Sequence, residues 1–347
     1  MVPVSVPFAD PAPRDARLTL AFAEGLSLPA GAITVLRPRA GESFAPLDSA
    51  GLTLVQSFRP DHDALQQAGY TVVADFIAAP VTLVCLPRSK AEALDLIAQA
   101  AGSDLVLVDG QKTDGIDSVL KAVRARADIL GVVSKAHGKL FWFSPKGADL
   151  SERRATPQMV KGPSGTRFVT LPGVFSSDGV DPASALLAAH LPDDLPAQIA
   201  DLGAGWGVLA AAVLSRRGPE VVHLVEAEAQ ALALARQNVT DPRAQFHWAD
   251  ATSFTLPGAV GGVVMNPPFH TGRSAQPALG LAFIATAARM LGTRGHLWMV
   301  GNRHLPYDAA LSETFVEVTI LTETPSFKVW HARTPRRGKA GAPRQRR

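Results

Sequence analysis

At 347 residues the chain is long enough for two domains with a core each. A composition of 47% hydrophobic and 19% charged residues excludes a low-complexity or wholly disordered chain. The net charge of +3 is too small to specify a nucleic-acid partner, a single cysteine excludes an internal disulfide, and no uncharged apolar run of about 18 residues is present to cross a membrane.

Met1 to Pro13 lacks the basic start and apolar core of a secretory signal, so a cytoplasmic protein is expected. Residues 1–150 alternate short apolar strands with helices. Strands are expected at Ala32–Leu36, Thr53–Ser57, Val81–Leu86, Asp104–Val108 and Leu140–Phe143, and helices at Lys90–Ala100 and Gly115–Ala127. Such alternation predicts a mostly parallel sheet covered on both faces. No G-x-G turn follows any of these strands, so this half reads as a scaffolding or substrate-presenting lobe.

A polar, Gly- and charge-rich stretch with Ser151-Glu152-Arg153-Arg154 and Lys161-Gly162-Pro163-Ser164-Gly165 predicts a linker over 151–165. The second domain is expected over 166–333. It opens with Leu171-Pro172-Gly173-Val174-Phe175-Ser176, and Asp181-Pro182 signals the start of a helix to Leu191. Phe175, Ser176 and Asp178 lie just upstream of the most informative stretch and could close over its mouth.

That stretch runs from Ala197 to Glu226. A strand ends in Asp201-Leu202, the turn Gly203-Ala204-Gly205-Trp206-Gly207 follows, then an Ala-rich helix to Arg216 and a strand ending in Glu226. Three glycines there let a backbone approach a ligand and take positive φ. The spacing is G-x-G-x-G, not the dinucleotide G-x-G-x-x-G, and Asp201 would repel a pyrophosphate while attracting an ammonium. Glu226 can hold a ribose diol, and Asp250, expected at the end of the third strand Gln245–Asp250, can accept from an adenine amino group beside Ala249 and Ala251. A ligand with a cationic amino-acid end and a ribose, S-adenosylmethionine, suits this arrangement.

The fourth strand, Gly262–Met265, runs into Asn266-Pro267-Pro268-Phe269-His270. Two prolines stiffen the loop and remove donors, leaving the Asn266 side-chain oxygen and the Pro267 carbonyl to hold the hydrogens of a planar amine. Phe269 offers a face for a base to stack on. A helix at Leu279–Leu291, a fifth strand at Gly295–Val300 and a closing pair at Phe315–Leu321 and Phe327–His331 complete the domain. His270, Arg273 and Arg303 fall on loops that could meet phosphates. Nine histidines without metal-ligand spacing give no expectation of a metal. Residues 334–347, rich in Arg with no acid, read as a basic, disordered tail.

The turn D-L-G-A-G-W-G, the strand-end acids and N-P-P-F resemble class I S-adenosylmethionine-dependent methyltransferases acting on amino nitrogen. L-P-G-V-F-S-x-D-G-x-D, N-P-P-F-H-x-G, N-R-H-L-P-Y from Asn302 and F-K-V-W-H-A from Phe327 are similar to bacterial ribosomal RNA guanine-N2 methyltransferases of the RsmC and RlmG type. The resemblance covers Phe168 to Ala332. It implies two tandem Rossmann-like α/β domains, the first degenerate and RNA-presenting, the second a seven-stranded methyltransferase sheet. It implies cofactor contacts at Asp201, Gly203, Ala204, Gly205, Glu226, Ala227, Asp250, Ala251, Phe175, Ser176 and Asn266, and catalysis by Asn266, Pro267, Pro268 and Phe269. The implied activity is methylation of a guanine N2 in small-subunit 16S ribosomal RNA, by a monomer whose partner is that RNA or the ribosomal subunit. Adenine N6 or a protein glutamine amide as acceptor, and a non-catalytic RNA-binding assembly factor, remain alternatives at this stage.

Overall fold

A computed structural model describes residues 12–47, 51–162, 165–268, 270–271, 274–275 and 277–336. The chain separates into two compact units, Met1–Thr156 and Pro157–Arg347. No described helix is long and apolar enough to cross a membrane.

The first unit holds helix α1 (Pro13–Ala23), strands β1 (Ile33–Leu36) and β2 (Leu52–Val55), α2 (Arg59–Gln67), β3 (Thr71–Val73), β4 (Val81–Cys85), α3 (Lys90–Gln99), β5 (Leu105–Gln111), α4 (Ile116–Arg124), β6 (Ile129–Lys135) and β7 (Gly138–Phe143). They form one sheet in the order β3-β2-β1-β4-β5-β7-β6. Neighbours are parallel from β3 to β5, and β7 runs antiparallel to both β5 and β6. Every residue of β1 and β4 is buried, because helices cover both faces and a parallel strand between them must be apolar throughout. Sequence periodicity missed β3 and β6: one is three residues long, the other a half-exposed edge.

The second unit begins with a small antiparallel hairpin, β8 (Gln158–Lys161) against β9 (Arg167–Thr170). Part of the stretch expected as a linker is therefore a strand of this unit. Gln-Met-Val-Lys buries only Val160, so its sequence carried no alternation to betray it. Next come α5 (Pro182–Ala189), β10 (Gln198–Leu202), α6 (Val208–Leu214), β11 (Val221–Glu226), α7 (Ala229–Asn238), β12 (Ala244–Trp248) and β13 (Val260–Met265). A short pair, β14 (His270–Thr271) and β15 (Ser274–Ala275), precedes α8 (Pro277–Met290), β16 (Leu291–Asn302), α9 (Tyr307–Thr314), β17 (Phe315–Glu323) and β18 (Phe327–Pro335).

The main sheet is ordered β12-β11-β10-β13-β16-β18-β17, parallel through β16 and closed by the antiparallel β18 and β17. Counted along the chain this is the same strand order as in the first unit. The two tandem α/β units and the seven-stranded second sheet anticipated from the sequence are thus present. One core lies under α5 and α6, where Leu187, Leu209 and Val213 meet Ile199, Val222 and Trp298. Another lies under α8 and α9, where Phe283, Ile284 and Leu311 meet Leu202, Met265 and Trp330. Since β10 starts the sheet outward in both directions, the carboxyl ends of β10, β11 and β13 meet at a switch in strand order, where open α/β sheets bind ligands.

Candidate functional site

The glycine turn sits at that switch. Gly203, Gly205 and Gly207 take φ of 74°, 55° and 96°, values that a side chain would strain. Their roles differ. At Gly207 a Cβ would meet Val239 Cγ2 at 2.8 Å, so this glycine lets the start of α6 pack on the end of α7. At Gly205 no atom of the described residues lies within 4 Å of the Cβ position, so among them the bare backbone fronts open space. The turn is tied down by the Gly203 and Ala204 N–H groups donating to the Val225 carbonyl at 2.9 and 3.1 Å.

Asp201 is fully buried and neither carboxylate oxygen has a partner among the described residues. The first-turn N–H of Ala210 approaches without the geometry of a hydrogen bond. Burial, and then the nearby Glu226 charge, push the Asp201 carboxyl up to about 8. An unpaired buried carboxylate is costly, and a cation is what relieves that cost.

Glu226 is better satisfied. Its Oε2 accepts from the Gly205 N–H at 2.8 Å and its Oε1 from the Glu228 N–H at 2.7 Å, although burial still raises its pKa. It braces the glycine turn as well as ending β11.

Asn266 follows β13. Its Nδ2 donates to Asp181 Oδ2 at 2.8 Å and to Ser184 Oγ at 2.9 Å, which uses both amide hydrogens. Its Oδ1 is buried without a partner among the described residues. Pro267 is buried and Pro268 exposed. Phe269 and Arg273 lie outside the described residues.

A cleft joins the glycine turn to Asn266, lined by Phe175, Ser176, Asp181, Ser184, Gly203–Trp206, Val208, Leu209 and Asn266; Asp201 and Glu226 are not part of its lining. Phe175 presents its ring to solvent at the rim, 63% exposed, while its carbonyl accepts from Trp206 Nε1 at 2.9 Å. Ser176 holds a positive φ of 54° and donates to the Gly179 carbonyl at 2.8 Å. The other expected contacts are placed differently. The third strand ends at Trp248, so Asp250 is not a strand end as anticipated; its Oδ1 accepts from the Thr252 N–H and hydroxyl at 2.8 and 2.7 Å and closes a turn. Ala251 is buried against the α8 core, and the Ala227 carbonyl accepts from Trp248 Nε1 at 2.8 Å. Neither lines the cleft.

Asp181, Ser184 and Asn238 were not singled out for the site. Asp181 was legible only as a helix cap. Asn238 clasps β9 to the glycine turn, accepting from the Val169 N–H at 2.7 Å and donating to the Val169 and Trp206 carbonyls at 2.9 Å. Nothing in the local sequence marks such long-range bonds.

The first unit carries the same frame with different side chains. Leu36 pairs with Val55 and Val84 as Leu202 pairs with Val225 and Met265, so Arg37, Gln56 and Cys85 hold the positions of Gly203, Glu226 and Asn266. The Arg37 N–H donates to Val55 O at 2.9 Å as Gly203 does to Val225, and Phe58 N–H donates to Gln56 Oε1 as Glu228 does to Glu226. The Arg37 guanidinium reaches Gln56, Ser57 and Glu92, and the cavity beside Cys85 is lined by Arg14 and Arg17 paired with Asp109.

The glycine turn and its surroundings fit S-adenosylmethionine on their own chemistry: the buried Asp201 carboxylate, without a partner among the described residues, suits the ammonium, and a glycine cradle a Cβ would fill suits close backbone approach. A model of the family "Methyltransferase small domain" matches residues 165–331. The chain is 31% identical over 288 residues to "Ribosomal RNA small subunit methyltransferase C" of Cronobacter sakazakii, covering 78% of this chain and 82% of that protein. A protein of the same name from Shewanella sp. (strain MR-4) is 29% identical, covering 72% and 75%. Among solved structures, Thermus thermophilus 16S rRNA N2 G1207 methyltransferase in complex with AdoMet and guanosine shares the fold with a TM-score of 0.75 at 22% identity, covering 96% of this chain and 97% of that one.

Proposed function

Since the chain belongs to the ribosomal RNA small subunit methyltransferase C family, we infer that it is an S-adenosylmethionine-dependent methyltransferase acting on the exocyclic N2 amine of a guanine in 16S ribosomal RNA. The observation that carries the site assignment is the buried Asn266 Oδ1, without a partner among the described residues, in the same cleft as the Gly203–Gly205 turn.

Asp201 and the Gly203–Gly205 backbone hold the amino-acid end of the cofactor, with Glu226 on the ribose. Bound S-adenosylmethionine supplies a methyl already activated by a sulfonium, so no strong base is needed. Asn266 Oδ1 accepts one N2–H of a guanine that has left its stack, with the Pro267 carbonyl taking the other. Two such acceptors draw the nitrogen lone pair out of conjugation with the ring and fix its direction, and most of the rate comes from that alignment. With the donor bound, the nitrogen would gain the methyl as the methyl–sulfur bond broke, the electron pair staying on sulfur to leave S-adenosylhomocysteine, and the transiently cationic nitrogen would then release one proton to water. Phe269 provides the stacking face for the base, and Phe175 and Ser176 border the opening. Asp250 takes the adenine through its remaining oxygen. All these residues belong to one unit of one chain, which suits a monomer, and the working setting is the cytoplasm with ribosomal RNA or the subunit as partner.

Nucleoside mass spectrometry of 16S RNA from a strain lacking this protein tests the reading: N2-methylguanosine at one site should vanish and return with the wild-type chain. Complementation by Asn266→Ala should leave it missing while the purified variant keeps its cofactor affinity. A modification restored by that variant refutes the role given to Asn266.

A further inference from the structure

We propose that Asp181, assisted by Ser184, is a positioning residue that locks the Asn266 amide with its oxygen toward the target amine, a role separate from its cap of α5. The proposal rests on the reading of Asn266 as the acceptor of that amine.

An asparagine amide is symmetric in shape and opposite in function at its two ends, so some contact must choose its orientation. A carboxylate can only accept, so Asp181 Oδ2, 2.8 Å from Asn266 Nδ2, admits one choice. Ser184 Oγ takes the second amide hydrogen at 2.9 Å. Turning the amide over would set Oδ1 against the Asp181 carboxylate, which cannot donate; the Ser184 hydroxyl, which can donate or accept, would tolerate either end, so the choice rests on Asp181. Oδ1 is thereby held on the other side, where it has no partner among the described residues.

The bond to Asp181 is charge-assisted, and a donor bonded to an anion shifts electron density onto its own carbonyl. Oδ1 then becomes a stronger acceptor for an amine that turns cationic as it gains a methyl, and the benefit grows toward the transition state.

The same Asp181 oxygen accepts from the Ser184 N–H at 2.8 Å and so caps α5. Capping alone does not require a carboxylate, since serine caps about as well. What serine lacks is the reach to Asn266, 85 residues away in sequence. This difference separates the two roles.

The test uses the full chain with S-adenosylmethionine and the ribosomal RNA substrate that the wild type methylates, comparing Asp181→Ser, Asp181→Asn and Asn266→Ala. Asp181→Ser keeps the cap, so Tm and cofactor Kd should stay close to wild type, while kcat falls on the order of 100-fold with little change in the KM for RNA. Asp181→Asn keeps an acceptor oxygen for both bonds and should recover kcat to within about tenfold of wild type. Wild-type kcat in Asp181→Ser overturns the proposal, as does an equal fall in Asp181→Ser and Asp181→Asn accompanied by lost Tm, which would reduce Asp181 to a cap. An inactive Asn266→Ala beside a fully active Asp181→Ser refutes the positioning role alone. A fully active Asn266→Ala refutes the reading of the Asn266 turn itself and the proposal with it.

Discussion

Asp201 couples this protein to pH through one buried carboxyl that has no partner among the described residues. In the unfolded chain an aspartate titrates near 4, and in the fold burial raises it to about 8. Between those values the folded state binds the extra proton, so the contribution of Asp201 to stability is full below about pH 4, falls as pH rises, and is lost by about pH 8. Asp201→Asn should therefore raise the Tm of the cofactor-free protein at pH 8 by a few degrees, on the order of 1–2 kcal/mol, and leave it nearly unchanged at pH 5. The same substitution should abolish cofactor binding, because the ammonium loses the buried carboxylate assigned to it. For the wild type, a cation that prefers the carboxylate expels the proton as it binds. Cofactor affinity measured by calorimetry should climb between about pH 6 and 8, with proton release in the same window, and decline once the ligand's own amino group deprotonates near 8. Affinity flat across that range would mean that the ammonium does not meet Asp201.

The glycine turn makes the parallel case for an element. Gly205→Ala adds a methyl where no atom of the described residues stands, at a φ of 55°, so strain alone should cost about 1–2 kcal/mol of stability, while cofactor Kd should rise at least about tenfold because the methyl enters the cradle. Gly207→Val should do the reverse: a large loss of Tm from the clash with Val239, with affinity at low temperature much less affected. Differential scanning fluorimetry beside calorimetry separates the two. This contrast also shows how far the sequence could be read. Gly203, Gly205, Asp201 and the Asn266-Pro267-Pro268 run are local patterns whose backbone demands are written in consecutive residues. The division of labour among the glycines was not legible, because it depends on Val239 arriving from another helix. Glu226 was read as a ribose ligand, yet its oxygens also brace the turn, and Asp250 proved to close a turn with Thr252. Bonds across 85 residues, such as Asp181 to Asn266, leave no trace in composition or periodicity.

At the scale of the whole molecule, two sheets of one topology raise the question of how many cofactors a chain binds. Strand order alone would allow two, and from sequence the first unit could be judged only by the missing glycine turn. The structure gives the physical reason for a difference. Where Gly203 leaves the backbone bare, Arg37 fills the equivalent position with a side chain bonded to Gln56, Ser57 and Glu92. Where Glu226 offers a carboxylate, Gln56 offers an amide, and it donates to the Pro38 carbonyl where Glu226 accepts from Gly205. Where Asn266 presents an oxygen, Cys85 presents a buried thiol whose pKa burial pushes well above the usual range. The cleft beyond is held by Arg14 and Arg17 on Asp109, a buried pairing whose members would each be left uncompensated if a cationic ligand displaced the other. Calorimetry on the full chain should accordingly give about one S-adenosylmethionine per chain, and Asp201→Asn should remove all of it. Uptake of two equivalents, or residual binding in that variant that Arg37→Glu abolishes, would place a working site in the first unit and overturn this account of how the two halves divide their labour.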